Sequence, residues 1–570
     1  MKNSKKKDDF VKPSLKKKEA FIKRMKKLRG KVDLKEEITK EVKIPEPKSE
    51  IKDHKFYSSL VSNKVLVLLC KEKPFTITGA VDLQCFTENV EIFGYQSKLG
   101  EKVSLFNPNG FNTFSIEVVS SDQNTPNWST LKDFTENDIE DCKEHFRPEN
   151  GVIVLSRHSS HKVDFLKKIM KEHFFPSVHF LAIERNTYAC EYLLNCSFEF
   201  NEYKTINISP FWKNVKLEKS SKVIVAGGQN VGKSTFLRYM VNNNLKKASE
   251  KILLIDLDIG QSEVFLPQTI SATVLENPLL GPGYFHNLNP EEAVFVGEIN
   301  VILSPENYLR SVIELIKRCR ENPSLNGIPW VINTMGYFKG FGLELLLNLY
   351  KIIRPTDVVQ INDRFEKSEG NQFQSSVVEK MIGSLPDFPA FQLHQFEKNF
   401  FTKKYRRNTI SAKDIRHLVV MCGLSGVLKS GGGFLNDVTP VSAHMESLRI
   451  YNSTTQMYSS DFASINGCLV YLCKKGESST SLSCLGVGIV RGIDDKTKKV
   501  YLLPSCSLNV LSKVNCLAMG TIVLPSALLI NQGPNINKIP PFLYRTKEFT
   551  GSKSIQQMHH KVPTRKRNGF

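Results

Sequence analysis

Two short stretches near the middle of the 570-residue chain hold residue types whose spacing could move a phosphoryl group. The first is Gly227-Gly228-Gln229-Asn230-Val231-Gly232-Lys233-Ser234-Thr235. Glycines at this spacing let backbone N–H groups close around phosphate oxygens, and a helix starting there adds its partial positive charge. Lys233 would reach the β- and γ-phosphates and the Ser234 hydroxyl would ligate Mg²⁺. The second stretch is Asp256-Leu-Asp258-Ile-Gly260-Gln261, about two dozen residues downstream. Phosphoryl transfer to a hydroxyl needs a carboxylate near the metal and a base for the departing proton. Two acids two residues apart at a strand end can divide those tasks. The bland alternatives are a glycine-rich turn that only joins strand to helix, and acids that only cap a turn.

Two further groups could handle an acceptor. Asn333-Thr334-Met-Gly336-Tyr337 lies between a strand and a helix, where glycines permit close approach and Tyr337 offers a face for a base. Lys403-Lys404-Tyr405-Arg406-Arg407, with Arg416 beyond it, could form a lid that closes arginines over the transferring group. Against these, a flexible turn with a core tyrosine and a solvated charge run are the ordinary readings. The Asn-Lys-x-Asp element that selects guanine is absent, so a GTPase is excluded.

These groups need a scaffold. Val223–Ala226 fits a buried parallel strand, and from Thr235 the apolar spacing turns helical through Phe236, Leu237, Met240 and Val241. Lys251–Asp256, Ala293–Gly297, Pro329–Asn333 and Asp357–Ile361 supply further parallel-strand candidates, with helices over Tyr308–Arg320 and Gly342–Arg354. The alternation predicts an α/β P-loop NTPase domain on a doubly wound, mainly parallel sheet, with ligands at the strands' carboxyl ends. Residues 363–400 are polar and irregular. Before this core, short strands are expected at Val65–Cys70, Phe75–Thr78, Val90–Tyr95, Lys102–Phe106 and Phe114–Val119. A strand, helix and strand follow at Val152–Leu155, Lys162–Glu172 and Val178–Glu184. From about Leu418 the pattern returns to short strands at Gly467–Cys473, Val487–Arg491, Val500–Leu503 and Thr521–Leu524. The expected division is a disordered basic tail (1–55), a β-rich N-terminal domain with an α/β connector (56–210) and the P-loop domain (211–423). A β-rich C-terminal domain (424–545) and a basic tail (546–570) complete it.

The length calls for several cores. The net charge of +20 points to a polyanionic partner, nucleic acid ahead of an anionic membrane. That charge is concentrated: residues 1–31 hold fourteen lysines and arginines against three acids. Such a tail suits a nuclear or nucleolar address, an RNA-gripping arm, or a solvated extension. The twelve cysteines are scattered without zinc spacing, which fits reduced thiols in the nucleus or cytosol. No apolar run approaches bilayer-spanning length, so a soluble, intracellular protein with no membrane association is expected.

The Gly227–Ser234 loop, the Asp256–Gln261 strand end and the Asn333–Tyr337 turn together resemble the polynucleotide 5′-hydroxyl kinases, a family that includes an mRNA cleavage-factor subunit. Phe295-Val-Gly-Glu-Ile299 with Ser304-Pro305, and Gly486–Gly492 with Val514-Asn-Cys516, resemble its nucleolar, pre-rRNA-processing branch. The resemblance implies ATP-dependent phosphorylation of RNA 5′-hydroxyl ends during large-subunit rRNA maturation, with ATP and Mg²⁺ as cofactors. It implies Asp258 as the base, Asp256 near the metal, and Arg406, Arg407 or Arg416 in the lid. Gln261, Thr334, Gly336 and Tyr337 would hold the RNA. The family clasp usually carries Trp where Tyr337 stands. The resemblance also implies an endonuclease partner that cuts the second internal transcribed spacer and leaves a 5′-hydroxyl. From a different class, a catalytically silent, ATP-bound scaffold of an RNA-processing complex is the alternative, and a general RNA-remodelling ATPase is a third. No feature fixes RNA over DNA, or an oligomeric state.

Overall fold

A computed structural model describes residues 53–524, except for 72, 112, 120–124, 170–174, 176–186, 201–204, 207, 248, 338–339, 363–389, 399–409, 431–437 and 478–479. Residues 1–52 of the N-terminal tail, the C-terminal tail, the expected strand at 178–184 and the basic run at 403–407 lie outside the described residues, while the expected tail boundary at 55 is corrected by the strand that begins at Lys55.

The centre is a run of five parallel strands in the order Gln392–Glu397, Asp357–Asn362, Lys222–Gly227, Trp330–Asn333, Ile252–Asp256. Parallel neighbours need crossovers, and helices Lys233–Asn244, Pro305–Glu321 and Phe341–Ile353 supply them. Both faces of the middle strands are therefore covered, which explains the unbroken apolar runs Val223–Ala226 and Ile252–Ile255. Val223 and Val225 pack with Phe236, Leu237 and Met240 on one side. Ile224 and Ala226 pack with Leu315, Ile316 and Leu349 on the other.

Beyond Ile252–Asp256 the sheet changes sense. Thr269–Leu275 runs antiparallel to it, and Glu292–Phe295 antiparallel in turn to that strand. The expectation of a parallel strand at Ala293–Gly297 is therefore corrected. Only a 3-10 turn, Gly283–Phe285, lies between the two strands, and without a crossover helix the chain can only double back. Thr269–Leu275 carries Thr and Ser at alternate positions and escaped sequence reading for that reason. Within 363–400, Gln392–Glu397 is an ordered edge strand; its partly exposed, polar composition hid it.

The N-terminal strands form an antiparallel sheet in the order Lys55–Ser59, Lys64–Leu69, Gly151–Arg157, Thr76–Cys85, Lys102–Asn107. Its apolar face is continuous with the central core: Val65, Leu83 and Leu105 share one cluster with Val223 and Tyr239. At the other end, Leu482–Asp494 pairs with Glu292–Phe295, so the C-terminal strands extend the central sheet. The short-strand pattern expected from Leu418 begins later than thought, because Ala412–Leu424 is a helix. Its cap, Ser411, accepts a hydrogen bond from the Asp414 N–H at 3.1 Å. No strand forms at Thr521–Leu524; the last described strand is Cys516–Met519. All twelve cysteines are free thiols, ten of them buried. Among the described residues no helix is long and apolar enough to cross a membrane.

Candidate active site

The phosphate loop leaves the sheet from a central strand. Lys222–Gly227 is hydrogen-bonded to a parallel partner on each side, which holds its carboxyl end rigidly. The turn needs glycine at Gly227: its φ is +151°, and a Cβ there would sit 2.6 Å from the Ile361 carbonyl oxygen. Asn230 (φ +58°) and Gly232 (φ +105°) also take positive φ, leading into the helix that starts at Lys233. Gln229 and Asn230 are exposed, Gly228 and Val231 are buried, and Ser234 and Thr235 are half-buried.

Lys233 is only 8 % exposed, and its ammonium donates to the Gly228 carbonyl at 2.7 Å. Burial drives its pKa down to about 8, opposed by the negative charge of Asp258. The two residues predicted to work together thus lie within electrostatic reach across the strand ends.

The two aspartates take different environments. Asp256, 1 % exposed, has both oxygens occupied by protein donors. Oδ1 accepts from Asn333 Nδ2 at 2.9 Å and the Asp258 N–H at 3.2 Å; Oδ2 accepts from Ser262 Oγ at 3.1 Å and the Glu263 N–H at 2.6 Å. Burial, then the neighbouring Asp258 charge, pushes its pKa up to about 7. Asp256 is therefore built in as the anchor of the turn that carries Asp258. Asp258 is half-buried, and only its Oδ1 is used by this turn, accepting from Gly260 N–H at 2.9 Å and Gln261 N–H at 3.0 Å. Burial raises its pKa, while Lys233 and Arg416 pull the other way. Gln261 is exposed beside it.

Of the lid candidates, Arg416 sits on the Ala412–Leu424 helix, close enough to Asp258 for each to influence the other's ionisation. Arg406 and Arg407 lie outside the described residues. The third predicted stretch divides. Gly336 abuts the phosphate loop, since a Cβ on it would stand 2.8 Å from Gln229 Cγ and 3.1 Å from Gln229 Cα. Tyr337 is half-buried against the core on the Phe341–Ile353 side. Thr334 is completely buried, and its hydroxyl donates to the Val225 carbonyl at 2.7 Å. That side chain is a tie between two central strands, set beneath the site.

Two residues that no motif singled out complete the centre. Glu263 is buried, and its Oε1 meets Arg238 Nε at 3.1 Å and accepts from the Gly283 N–H at 3.1 Å. Arg238 falls one helical turn after Ser234, an i,i+4 relation visible in sequence; the partner acid from a later loop is not.

Comparison with known proteins matches this architecture part by part. Residues 227–412 match the family described as mRNA cleavage and polyadenylation factor CLP1 P-loop. Residues 53–199 match the polynucleotide 5′-hydroxyl-kinase NOL9 N-terminal domain, and residues 436–525 the NOL9-like C-terminal domain. The chain is 34% identical over 528 residues to the polynucleotide 5′-hydroxyl-kinase NOL9 of Drosophila melanogaster, covering 89% of this chain and 52% of that protein. It is 24% identical to the Homo sapiens protein of the same name, covering 88% of this chain and 82% of that one. The chain thus spans about half the length of the fly relative. A Clp1p–Pcf11p complex aligns over 80% of this chain and 97% of the solved chain, with a TM-score of 0.48 and 14% identity.

Proposed function

Because the chain belongs to the NOL9 family of polynucleotide 5′-hydroxyl kinases, we propose that it transfers the γ-phosphate of ATP to the 5′-hydroxyl end of RNA. The observation that carries this is the approach of a half-buried carboxylate, Asp258, to the phosphate-loop lysine, Lys233. Lys233 supplies positive charge where the β- and γ-phosphates rest, and the loop's N–H groups hold them. Asp258 accepts the proton of the attacking hydroxyl. Its Oδ1 is fixed by two backbone donors, which leaves Oδ2 for that proton, and a pKa raised by burial makes it a stronger base. Arg416 would offset charge on the transferring group.

The Ser234 hydroxyl, half-buried at the start of the phosphate-loop helix, and the Asp258 carboxylate are hard oxygen donors of the kind that suit Mg²⁺. When bound, that ion would neutralise charge developing on the phosphates. Gly336 abuts the phosphate loop, and with Gln261 and Tyr337 it would hold the RNA end, Tyr337 by stacking. Helices on both faces of the five parallel strands support a doubly wound P-loop kinase module, with modules at about 56–210 and 424–545 on either side. Pre-ribosomal RNA as substrate, an endonuclease cutting the second internal transcribed spacer as partner, and a nucleolar location belong to the same proposal. The +20 charge and the basic tail support them.

The test is incubation of the purified chain with labelled ATP, Mg²⁺ and a 5′-hydroxyl oligoribonucleotide. Label should appear on the RNA end and vanish in Lys233→Ala. ATP binding with no label transfer would instead establish the scaffold.

A further inference from the structure

The sheet that carries the phosphate-loop strand ends, at its far edge, in a hairpin. Arg449–Asn452 pairs with Cys516–Met519 on one side and with Met457–Ser459 on the other, and Met457–Ser459 is the last strand. All three of its residues are exposed. Tyr451 and Tyr458 stand directly opposite each other and so share a face, their ring centroids 5.2 Å apart. Tyr451 also meets Phe295 edge-on at 6.5 Å, which seats the pair against the core, while Tyr458 is 44% exposed. Arg449, two residues before Tyr451, lies on the same face and is exposed.

The helix Pro305–Glu321 brings a second arginine to this face. Asn307 Nδ2 donates to the Val296 carbonyl at 3.0 Å, and the neighbouring Gly297 carbonyl accepts from Ser453 Oγ at 3.1 Å, just past Asn452. Arg310 follows one turn later on the side of Asn307 and is exposed. Burial raises the pKa of both tyrosine hydroxyls, and the charge of Arg310 acts against it at Tyr451 as that of Arg449 does at Tyr458. The helix's ion pairs are made by Lys317 and Arg318; among the described residues neither Arg310 nor Arg449 has an acid partner.

The hairpin is tied to the candidate site through the start of the same helix. Gln456 Nε2, in the hairpin turn, donates to Ser304 Oγ at 3.2 Å. One turn on, Tyr308 Oη donates at 3.0 Å to the carbonyl of Leu257, the residue between the two aspartates. The segment leading to Ser304 passes the acid turn as well: a Cβ on Gly260 would stand 2.8 Å from the Ile299 carbonyl oxygen. A tyrosine pair alone would do no more than stabilise a hairpin. An exposed ring flanked by arginines without acids, close to a site for the 5′ end of a strand, suits single-stranded nucleic acid, whose bases stack and whose phosphates take guanidinium groups.

We propose that this hairpin, with Arg310, is a second RNA contact, where bases a few nucleotides beyond the 5′ end stack on Tyr458 and Tyr451 while Arg310 and Arg449 meet the backbone phosphates. It rests on the RNA-binding half of the proposed function and requires no phosphoryl transfer.

The experiment is fluorescence anisotropy of the full chain, without ATP, on a labelled 5′-hydroxyl trinucleotide and dodecamer of RNA. Tyr458→Ala should weaken dodecamer binding about tenfold and leave the trinucleotide within about twofold, with the salt dependence unchanged and Tyr458→Phe restoring affinity. Arg310→Ala and Arg449→Ala should each flatten the slope of log affinity against log salt by about 0.7. Ultraviolet crosslinks from 4-thiouridine in the dodecamer should map to residues 449–459 of the wild type, a readout that needs no variant to fold. Dodecamer affinity within about twofold of wild type in Tyr458→Ala, or no crosslink to the hairpin, would leave it a surface for a protein or for nothing, and overturn the proposal. Tyr458-dependent dodecamer binding with no label transferred to RNA would sink the kinase reading and leave this one standing.

Discussion

At the residue scale, two acids separated by one leucine differ because one is enclosed by donors and the other keeps an oxygen free. Asp258→Asn retains an oxygen for Gly260 and Gln261, so the turn should survive. Transfer to RNA should fall by roughly 10²–10⁴-fold while ATP affinity changes little. A single-turnover rate within tenfold of wild type would remove Asp258 from the base role. Asp256 makes a separate prediction about stability. Its folded pKa of about 7 stands above the ordinary 3.8, so the folded protein holds a proton that the unfolded chain releases. The associated stability is present below pH 4, declines as pH rises towards 7, and is gone above it. Denaturant melts of the nucleotide-free protein should lose up to about 1.4 kcal/mol per pH unit across that window on this account. Asp256→Asn should flatten the slope while lowering stability overall, since one amide group would face the Ser262 and Glu263 donors.

At the element scale, the site depends on helix starts and strand ends. The phosphate-loop strand is central, parallel and apolar on both faces, so its sequence announces it. The helix carrying Arg416 is less obvious because residues 418–424 are apolar without clear turn signals and pass equally well for a buried strand. Ser411 with Asp414 was the available clue, a polar cap three residues ahead of an acid. Ser411→Ala should destabilise this helix by about 1 kcal/mol. Because the first turn holds Arg416 near Asp258, hydrogen exchange should quicken over 412–417 and transfer should slow several-fold, with ATP affinity retained. Unchanged exchange there would show that tertiary packing alone fixes the helix.

At the scale of the whole molecule, the central and C-terminal strands share one sheet, joined where Val294 and Phe295 face Ser483 and Leu482. Gln268 is a fully buried polar link in that region. Its amide nitrogen donates to the Gly297 carbonyl and to Thr521 Oγ1, and its oxygen accepts from Tyr471 Oη at 3.1 Å. Gln268→Leu would take this partner from Thr521 Oγ1 and the Ile522 N–H, while the Gly297 carbonyl keeps Ser453 Oγ and Tyr471 Oη keeps the Pro267 carbonyl, at a cost of about 1–3 kcal/mol. A lower melting temperature with a single transition is expected. An unchanged melt would mean that the C-terminal strands are held by apolar contacts such as Phe295 against Tyr471 alone.

The sequence by itself determined the phosphate loop, the acid pair and the α/β core. Each is written in neighbouring residues: glycines where backbone must approach phosphate, acids at a strand end, and apolar runs where both faces are covered. Tertiary structure alone decided what those residues do for one another. Thr334 is turned inward because the strand beside it offers the Val225 carbonyl, and Asp256 is consumed because Asn333, Ser262 and Glu263 converge on it. Glu263 meets Arg238 only because the chain folds back after the acid pair to reach the phosphate-loop helix. Local spacing encodes backbone geometry well, whereas the partner of a buried charge is chosen by packing between segments far apart in the chain.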